Sequence, residues 1–516
     1  QFNKVEKLYR DNIKFNLKVG NTLSKRIVQE EAVQLVAITL EDEVYEEKTK
    51  FNWDVDFEEM IENGGFDCII GNPPYVEYTK IKDKYEIDSF ESKQCKNIYA
   101  YSIERSIQLL KKDGVIGFIV PISIVSTPRM KTLRKFVEGN CKNIFYSNFG
   151  DRPGTLFNGV HQKISILIAQ KGKEDPNIFT SEYYHWYNDE RDSIFDNIRY
   201  IENMYREEDF YYKIGNEIQL SIINKINKID TPIKSMICNN SSYYAYWNDR
   251  MTFWMKCFKG EKKSNSFKKS MFNSEDESLI FIAVMNSSLY YLFWEIVSDA
   301  WHITNKELEL FKFNQYKLNE KQRNRLIELA QELEIDLEKN KEYIGSKQVD
   351  YEYKHKKSKA IIDKIDEVLK EYYNLSDEEY RYIIDYNLKY RMNDELETYL
   401  NERNCKIEEN FHMNVIDLFS GAGGFSEGFK KAGFDILVAN EIDPMIANTH
   451  KENHPETLMI NIGIEEFANN VDEIINENLE NMEDRDRANY IRENINNIDV
   501  IIGGPPCQGF SMAGAR

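Results

Sequence analysis

Twice in this chain a short apolar run reaches glycine and then a pair of adjacent prolines. The first is Phe66-Asp67-Cys68-Ile69-Ile70-Gly71-Asn72-Pro73-Pro74-Tyr75, and the second is Val500-Ile501-Ile502-Gly503-Gly504-Pro505-Pro506-Cys507. Short apolar runs bounded by glycine and proline read as strands, and proline cannot continue a ladder because it lacks an N–H. Each motif is therefore a strand that stops abruptly and turns into a loop. Around the first, residues 99–112 place Ile103, Ile107 and Leu110 at helical spacing, while residues 115–120 and 163–169 read as further strands. Alternation of this kind predicts a parallel α/β sheet. Ligands of open α/β sheets sit beyond the carboxyl ends of the strands, where both proline loops fall.

At roughly 100–200 residues per domain, a chain of 516 residues holds several domains. Residues 1–175 carry the first α/β pattern. Residues 176–330 are rich in Tyr, Trp and Phe without clean alternation. Residues 331–400 are helical and charged, with Ser376 and Glu379 spaced as a capping box. Residues 401–412 read as a polar linker, and residues 413–516 start a second α/β pattern. The seven cysteines stand singly with no CxxC pair, which argues against a disulfide scaffold and a structural zinc site and for a reducing, cytoplasmic compartment. No apolar run approaches the roughly 18 residues that a membrane span needs. The chain starts at Gln1 and stops inside the second loop, so it reads as a piece at both ends.

A net charge of −20 speaks against a general nucleic-acid binder. Residues 413–516 hold 18 acidic and 7 basic side chains, however, so over half of the excess lies in that last fifth. Local potential steers a polyanion more than net charge does, which leaves room for a basic surface elsewhere.

In the first loop, the Asn72 amide oxygen and the Pro73 carbonyl can both accept hydrogen bonds from an exocyclic amine. Held so, the amine keeps its lone pair free for an electrophile. Tyr75 offers a flat face for an extruded base. By itself the tetrapeptide also fits a tight turn, the lesser of the two readings. Its context reads further: Phe51-Asn52-Trp53, Gly64-Gly65-Phe66-Asp67, Asn97-Ile98-Tyr99, Gly114-Val115-Ile116-Gly117-Phe118, Phe157-Asn158-Gly159-Val160, Ser298-Asp299-Ala300-Trp301-His302 and Lys389-Tyr390-Arg391. With Asn72-Pro73-Pro74-Tyr75-Val76 these resemble the amino-methyltransferases of DNA. They are most similar to adenine-specific enzymes of the type IIG restriction-modification kind, over residues 10–400. The resemblance implies S-adenosylmethionine as methyl donor and adenine N6 as acceptor, with cytosine N4 served by the same loop as the alternative. It makes Asn72, Pro73, Pro74 and Tyr75 the catalytic loop, and Asn21 of Gly20-Asn21-Thr22-Leu23 a cofactor contact.

Tyr243, Tyr244, Tyr246, Trp247 and Trp254 precede a lysine-rich run, Lys256, Lys259, Lys262, Lys263, Lys268 and Lys269, in which Glu261 is the lone acid. Aromatic faces beside lysines suit stacking and phosphate contact. A core followed by a solvated loop explains the same composition equally well. The position is where the resembled family keeps its target recognition domain, and this implies DNA contact for the six lysines. His302 beside Trp301 reads as a structural histidine.

The second pattern opens with Asp417-Leu418-Phe419-Ser420-Gly421-Ala422-Gly423-Gly424-Phe425-Ser426, a strand end turning into a helix start. Its glycines let backbone approach a ligand closely. The next strand ends at Asn440-Glu441, and a carboxylate there can take the ribose hydroxyls of a nucleoside cofactor. Cys507 on its proline turn is a nucleophile candidate. Addition of its thiolate to cytosine C6 makes an enamine whose C5 can attack a methyl group. These residues are similar to the cytosine-C5 DNA methyltransferases. That resemblance places Phe419, Ser420, Gly421 and Gly423 at S-adenosylmethionine, Glu441 at its ribose, and Cys507 as nucleophile. Asn461 stands where the family commonly has aspartate.

The expected whole is an α/β chain. A partial Rossmann-like methyltransferase domain comes first, then an α+β target recognition domain, a helical tail and a second partial Rossmann-like methyltransferase domain. Double-stranded DNA is the expected partner, with no membrane. Two other functions fit the residues: methylation of a protein glutamine amide, and a DNA specificity subunit without catalysis.

Overall fold

The computed structural model describes residues 53–80, 87, 89–157, 161–196, 198–207, 209–345, 350–407, 413–482 and 484–505. The chain divides into two compact units, Gln1–Asn393 and Asp394–Arg516.

A six-stranded sheet carries the first unit. Its strands are β1 (Phe66–Gly71), β2 (Leu110–Pro121), β3 (Cys141–Phe149), β4 (Ile164–Lys171), β5 (Asn177–Tyr184) and β6 (Ile201–Glu202), in the order β1-β2-β4-β3-β5-β6. β1 runs parallel to β2 and β3 parallel to β5, whereas β4 lies antiparallel between β2 and β3, and β6 antiparallel to β5. The sheet is therefore mixed rather than parallel throughout. Helix α1 (Ile98–Leu109) returns the chain between β1 and β2, and α2 (Lys131–Asn140) between β2 and β3. Between β3 and β4 the described residues contain no helix, and without that crossover the chain comes back antiparallel. The carboxyl ends of β1, β2, β3 and β5 consequently share one edge.

Two expected boundaries move. Helix α1 stops at Leu109, short of residue 112, because Leu110 already pairs with Phe66 of β1. The sheet passes residue 175, since β5 and β6 belong to it. Asn97 starts α1, its side chain accepting from the Tyr99 N–H at 3.3 Å.

Beyond the sheet lies a three-stranded antiparallel sheet of β7 (Tyr243–Asn248), β8 (Cys257–Phe258) and β9 (Phe267–Phe272), with β7 in the middle. It precedes α3 (Glu275–Asn286) and α4 (Ser288–Val297), which beyond the exposed acidic start of α3 are largely apolar and buried all round. The start of α4 is capped from afar: the Asp366 carboxylate accepts from the Ser288 and Leu289 N–H groups, both at 3.0 Å. Asp366 belongs to α6 (Lys359–Tyr373), which follows α5 (Glu320–Lys339). The capping box of Ser376 and Glu379 opens α7 (Asp377–Asp385) as its spacing foretells. A further helix, Leu396–Ile407, occupies the first part of the stretch read as a linker. One hydrophobic cluster runs from Phe90 to Tyr386, so the expected recognition and tail segments share a core with the sheet. Among the described residues no single helix is long and apolar enough to cross a membrane, and α3 and α4 meet at 64°.

The second unit has a four-stranded parallel sheet, β10 (Met413–Leu418), β11 (Phe434–Asn440), β12 (Leu458–Ile460) and β13 (Val500–Gly503), in the order β12-β11-β10-β13. Helices α8 (Gly424–Lys431) and α9 (Pro444–Asn453) follow β10 and β11. Leu437, Val438, Leu458, Leu479 and Ile491 centre its own core.

Candidate active sites

In the first unit, β1 ends at Gly71, opposite Phe118 of β2, and Asn72 to Tyr75 emerge at the carboxyl edge of the sheet. Pro73 is buried, while Asn72 and Pro74 are exposed and Tyr75 is half-buried. The Tyr75 hydroxyl stands 2.9 Å from both the Asn72 Oδ1 and the Ile119 carbonyl, and its single proton is shared between these two acceptors. Its ring meets Tyr99 edge-on at 6.4 Å between centroids, and the Tyr99 hydroxyl lies 2.8 Å from Ser123 Oγ. Burial pushes the Tyr75 phenol up to about 12, so it remains a donor at neutral pH. The effect is to fix the Asn72 amide: one lone pair of Oδ1 faces Tyr75 and the other stays available to an incoming N–H.

Arg129 and Glu77, which the motif reading passed over, hold the other side of the loop together with Asn97. Arg129 forks onto Glu77, Nη2 to Oε1 at 2.8 Å and Nη1 to Oε2 at 3.1 Å, and Asn97 Nδ2 donates to the same carboxylate at 3.4 Å. The backbone of Glu77 also bridges Asn97. Asn97 was legible only as part of the Asn97-Ile98-Tyr99 resemblance; its cap on α1 and its reach to Glu77 were not. A separate cavity of about 540 Å³, lined by Glu182, Tyr184, Tyr382 and Tyr386 among others, opens at the carboxyl end of β5. The sheet order puts β5 four strands away from β1 and its loop.

The six lysines are less free than their composition suggests. Lys262 lies between the Phe258 and Tyr353 rings and bonds Glu338 at 2.7 Å. Lys259 pairs with Glu275, Lys263 with Asp350 at 2.6 Å and Lys268 with Asp249 at 3.0 Å. Lys256 is half-buried, and burial pushes its ammonium down. Lys269 lies over Tyr244, 3.5 Å from the ring centroid. Trp247 is buried, and its indole N–H donates to Ser270 Oγ at 3.0 Å. His302 Nδ1 pairs with Asp299 at 2.8 Å.

In the second unit the structure brings the glycine loop and the acidic strand end together. The Gly421 N–H donates to Glu441 Oε2 at 3.1 Å, and the Asp443 N–H to Oε1 at 3.0 Å. Gly423 sits at φ +95°, where a Cβ would come within 2.4 Å of His454. Behind the loop, Ser426 Oγ donates to Asp417 at 2.7 Å and lies 3.0 Å from His450 Nε2, while His454 Nε2 lies 3.1 Å from the Gly423 carbonyl. Burial, reinforced by His454, pushes His450 down to about 4, so the ring is neutral and donates from Nε2. Burial pushes the Asp417 carboxyl up. Asn461 Nδ2 donates to the Glu441 and Ile442 carbonyls at 2.7 and 3.1 Å, which leaves its Oδ1 as an outward acceptor. The Ser420 hydroxyl is buried and makes no hydrogen bond. A nucleoside cofactor fits these groups: an unused hydroxyl, a carboxylate and a backbone cradle in which Gly423 leaves no room for a side chain.

The second proline loop leaves the sheet beside this cradle. β13 pairs with β10, Gly503 opposite Leu418, and the Gly504 N–H donates to the Leu418 carbonyl at 3.2 Å. Cys507 and Pro506 lie outside the described residues, as do Asn21 and the Asn158-Gly159-Val160 part of its motif.

Asn72 thus stands on the carboxyl edge of one α/β sheet, and the glycine loop and Glu441 stand on that of a second. The family of Eco57I restriction-modification methylases matches residues 3–153, and that of C-5 cytosine-specific DNA methylases matches residues 413–516. The chain thus carries one methylase domain of each kind. The type II methyltransferase M1.HphI of Haemophilus parahaemolyticus is 41% identical over 102 residues, 20% of this chain and 23% of that protein. A candidate type II restriction enzyme and methyltransferase of Methanocaldococcus jannaschii is 34% identical over 139 residues, 25% of this chain and 11% of that protein. This chain therefore spans less than a quarter of the length of either relative. The solved type IIL restriction-modification enzyme MmeI, in complex with DNA, shares 11% identity, 65% of this chain and 59% of its own, at a TM-score of 0.34.

Proposed function

We propose that the chain is part of a restriction-modification DNA methyltransferase of the cytoplasm with two chemistries, transfer to adenine N6 by the first unit and to cytosine C5 by the second. Double-stranded DNA is its substrate. The observation that carries the reading is the Asn72 amide, exposed at the sheet edge and held in place by the Tyr75 hydroxyl. An extruded adenine presents its amine to Asn72 Oδ1 and the Pro73 carbonyl, both acceptors, and the two bonds leave the nitrogen lone pair outside their plane. Tyr75, pinned at its hydroxyl, supplies a ring of fixed orientation for the base to stack on. Adenine is chosen over cytosine N4 because the motifs around Asn72 are most similar to those of adenine-specific enzymes.

In the second unit Ser420, Gly421, Gly423 and Glu441 would hold S-adenosylmethionine, with Phe419 beside them and Asn461 Oδ1 as the acceptor that aspartate provides elsewhere. When bound, that cofactor supplies an electrophilic methyl group. The Cys507 thiolate would add to cytosine C6, which makes C5 nucleophilic toward that methyl group; the methylated C5 would then give its proton to solvent as the C6–S bond breaks and the thiolate is restored. The Gly503-to-Leu418 register supports this assignment because it starts the Cys507 segment next to the cradle.

A nucleoside digest of DNA from a methylation-free host expressing the source gene tests the reading. N6-methyladenine is expected to vanish with Asn72→Ala, and 5-methylcytosine with Cys507→Ser. Absence of both marks in the unsubstituted strain defeats it.

A further inference from the structure

Carboxylate pairing sorts the surface cations of the first unit. Lys259, Lys262, Lys263 and Lys268 each have an acidic partner. Arg152, Arg250 and Lys269 are exposed and have no carboxylate partner among the described residues. A carboxylate cancels a cation's charge toward solvent; an aromatic face orients the cation and leaves the charge intact.

These three cations lie along one line of contacts. Lys163 follows the carboxyl end of β2 in space, its carbonyl accepting from the Ile122 N–H at 3.0 Å. The same strand provides the Ile119 carbonyl that anchors Tyr75. Lys163 Nζ sits 4.5 Å from the Trp301 ring centroid, and the Arg152 guanidinium 5.8 Å from it. Lys163 is neutralised by Asp151 at 3.0 Å, which leaves Arg152 as the free charge on that ring. His302 bridges Arg250 through backbone, flanked by Met251 N–H to Trp301 O at 2.9 Å and Ile303 N–H to Asp249 O at 3.0 Å. Asp249 adjoins the end of β7. On the outward face of the small sheet Lys269, opposite Tyr246 in register, lies over Tyr244. A ridge of cations and aromatic rings therefore leads from the edge bearing Asn72 and Tyr75 to the three-stranded sheet.

We infer that Arg152, Arg250 and Lys269 form a phosphate track that holds one DNA strand along this ridge, and that the lysines at 259, 262 and 263 stay outside it. The inference rests on the DNA reading proposed above and replaces its lysine run with a different set of contacts. Each phosphate neutralised releases counterions, so each true contact adds about 0.9 to the slope of log affinity against log salt. Such contacts fix position and carry no sequence information, so a duplex of arbitrary sequence reports them.

The test is binding of a fluorescein-labelled duplex of mixed sequence to the full chain across a salt series. The triple variant Arg152→Gln, Arg250→Gln, Lys269→Gln is expected to lower the slope by about 2.7, and Lys259→Gln, Lys262→Gln, Lys263→Gln by less than about 0.5. Circular dichroism of both variants confirms their fold. An unchanged slope in the first variant, an equal drop in the second, or a wild-type chain that does not bind duplex overturns the track. Methyl transfer is read separately: if the slopes behave as expected and the host DNA carries no mark, the track stands and the catalytic reading falls.

Discussion

A single hydroxyl organises the first loop. The Tyr75 O–H is shared between the Asn72 amide and the β2 backbone, so its removal loosens the amine acceptor without altering the ring. Tyr75→Phe is expected to reduce the rate of N6-methyladenine formation about tenfold, the worth of one ordinary hydrogen bond, while duplex affinity stays within about twofold. A time course of methylation beside a binding titration checks it; equal loss in both measurements would move Tyr75 from positioning to binding. Another residue speaks to stability. His355 is buried with its Nδ1 against the Tyr353 carbonyl at 3.1 Å, and burial, helped by the nearby Lys256, pushes it down to about 3. The folded state keeps this ring neutral where the unfolded chain takes up a proton. His355 therefore contributes stability that is full above about pH 6.5 and falls as pH drops toward 3, by about 1.4 kcal/mol per pH unit. Urea melts across that window should show a shallower acid decline for His355→Phe, and an unchanged slope would remove the residue from the acid response.

At the scale of elements, the two Pro-Pro strands were legible because burial and termination are both local properties. Apolar residues set the run, and glycine and proline stop it. The same holds for β10, β11 and the Ser376 capping box, where Ser376→Ala is expected to cost about 1 kcal/mol in a thermal melt. β3 was not legible, since Asn143 and Asn148 break its apolar pattern. Their partners come from elsewhere in the chain: Gln170 accepts from Asn143 at 2.9 Å, and the Asn148 side chain donates to the Ser181 carbonyl at 3.0 Å. The lysine run misled for the same reason. The acids that neutralise Lys262 and Lys263 lie 76 and 87 residues away, so a count of neighbours in sequence found Glu261 alone. Asn72 and Glu441 were readable because strand ends place them; the Arg129 fork on Glu77 and the Ser426–His450 contact required the fold.

At the scale of the whole molecule, the core is divided as the proposed chemistry is. The cluster running from Phe90 to Tyr386 shares no residue with that around Leu437 and Leu458. Removing a buried leucine from one cluster leaves no cavity in the other, so its cost of about 2–5 kcal/mol is confined to one unit. Leu437→Ala, in a unit of modest size, is expected to lower one calorimetric transition by on the order of 10 °C and leave a second in place. Leu329→Ala, buried in the first cluster, should move the second transition instead. Independent transitions would mean that either methylase domain can lose its fold, and with it its mark on DNA, while the other persists. Heating cells that carry Leu437→Ala should then deplete 5-methylcytosine before N6-methyladenine. A single transition displaced by both substitutions would instead make the two marks rise and fall together.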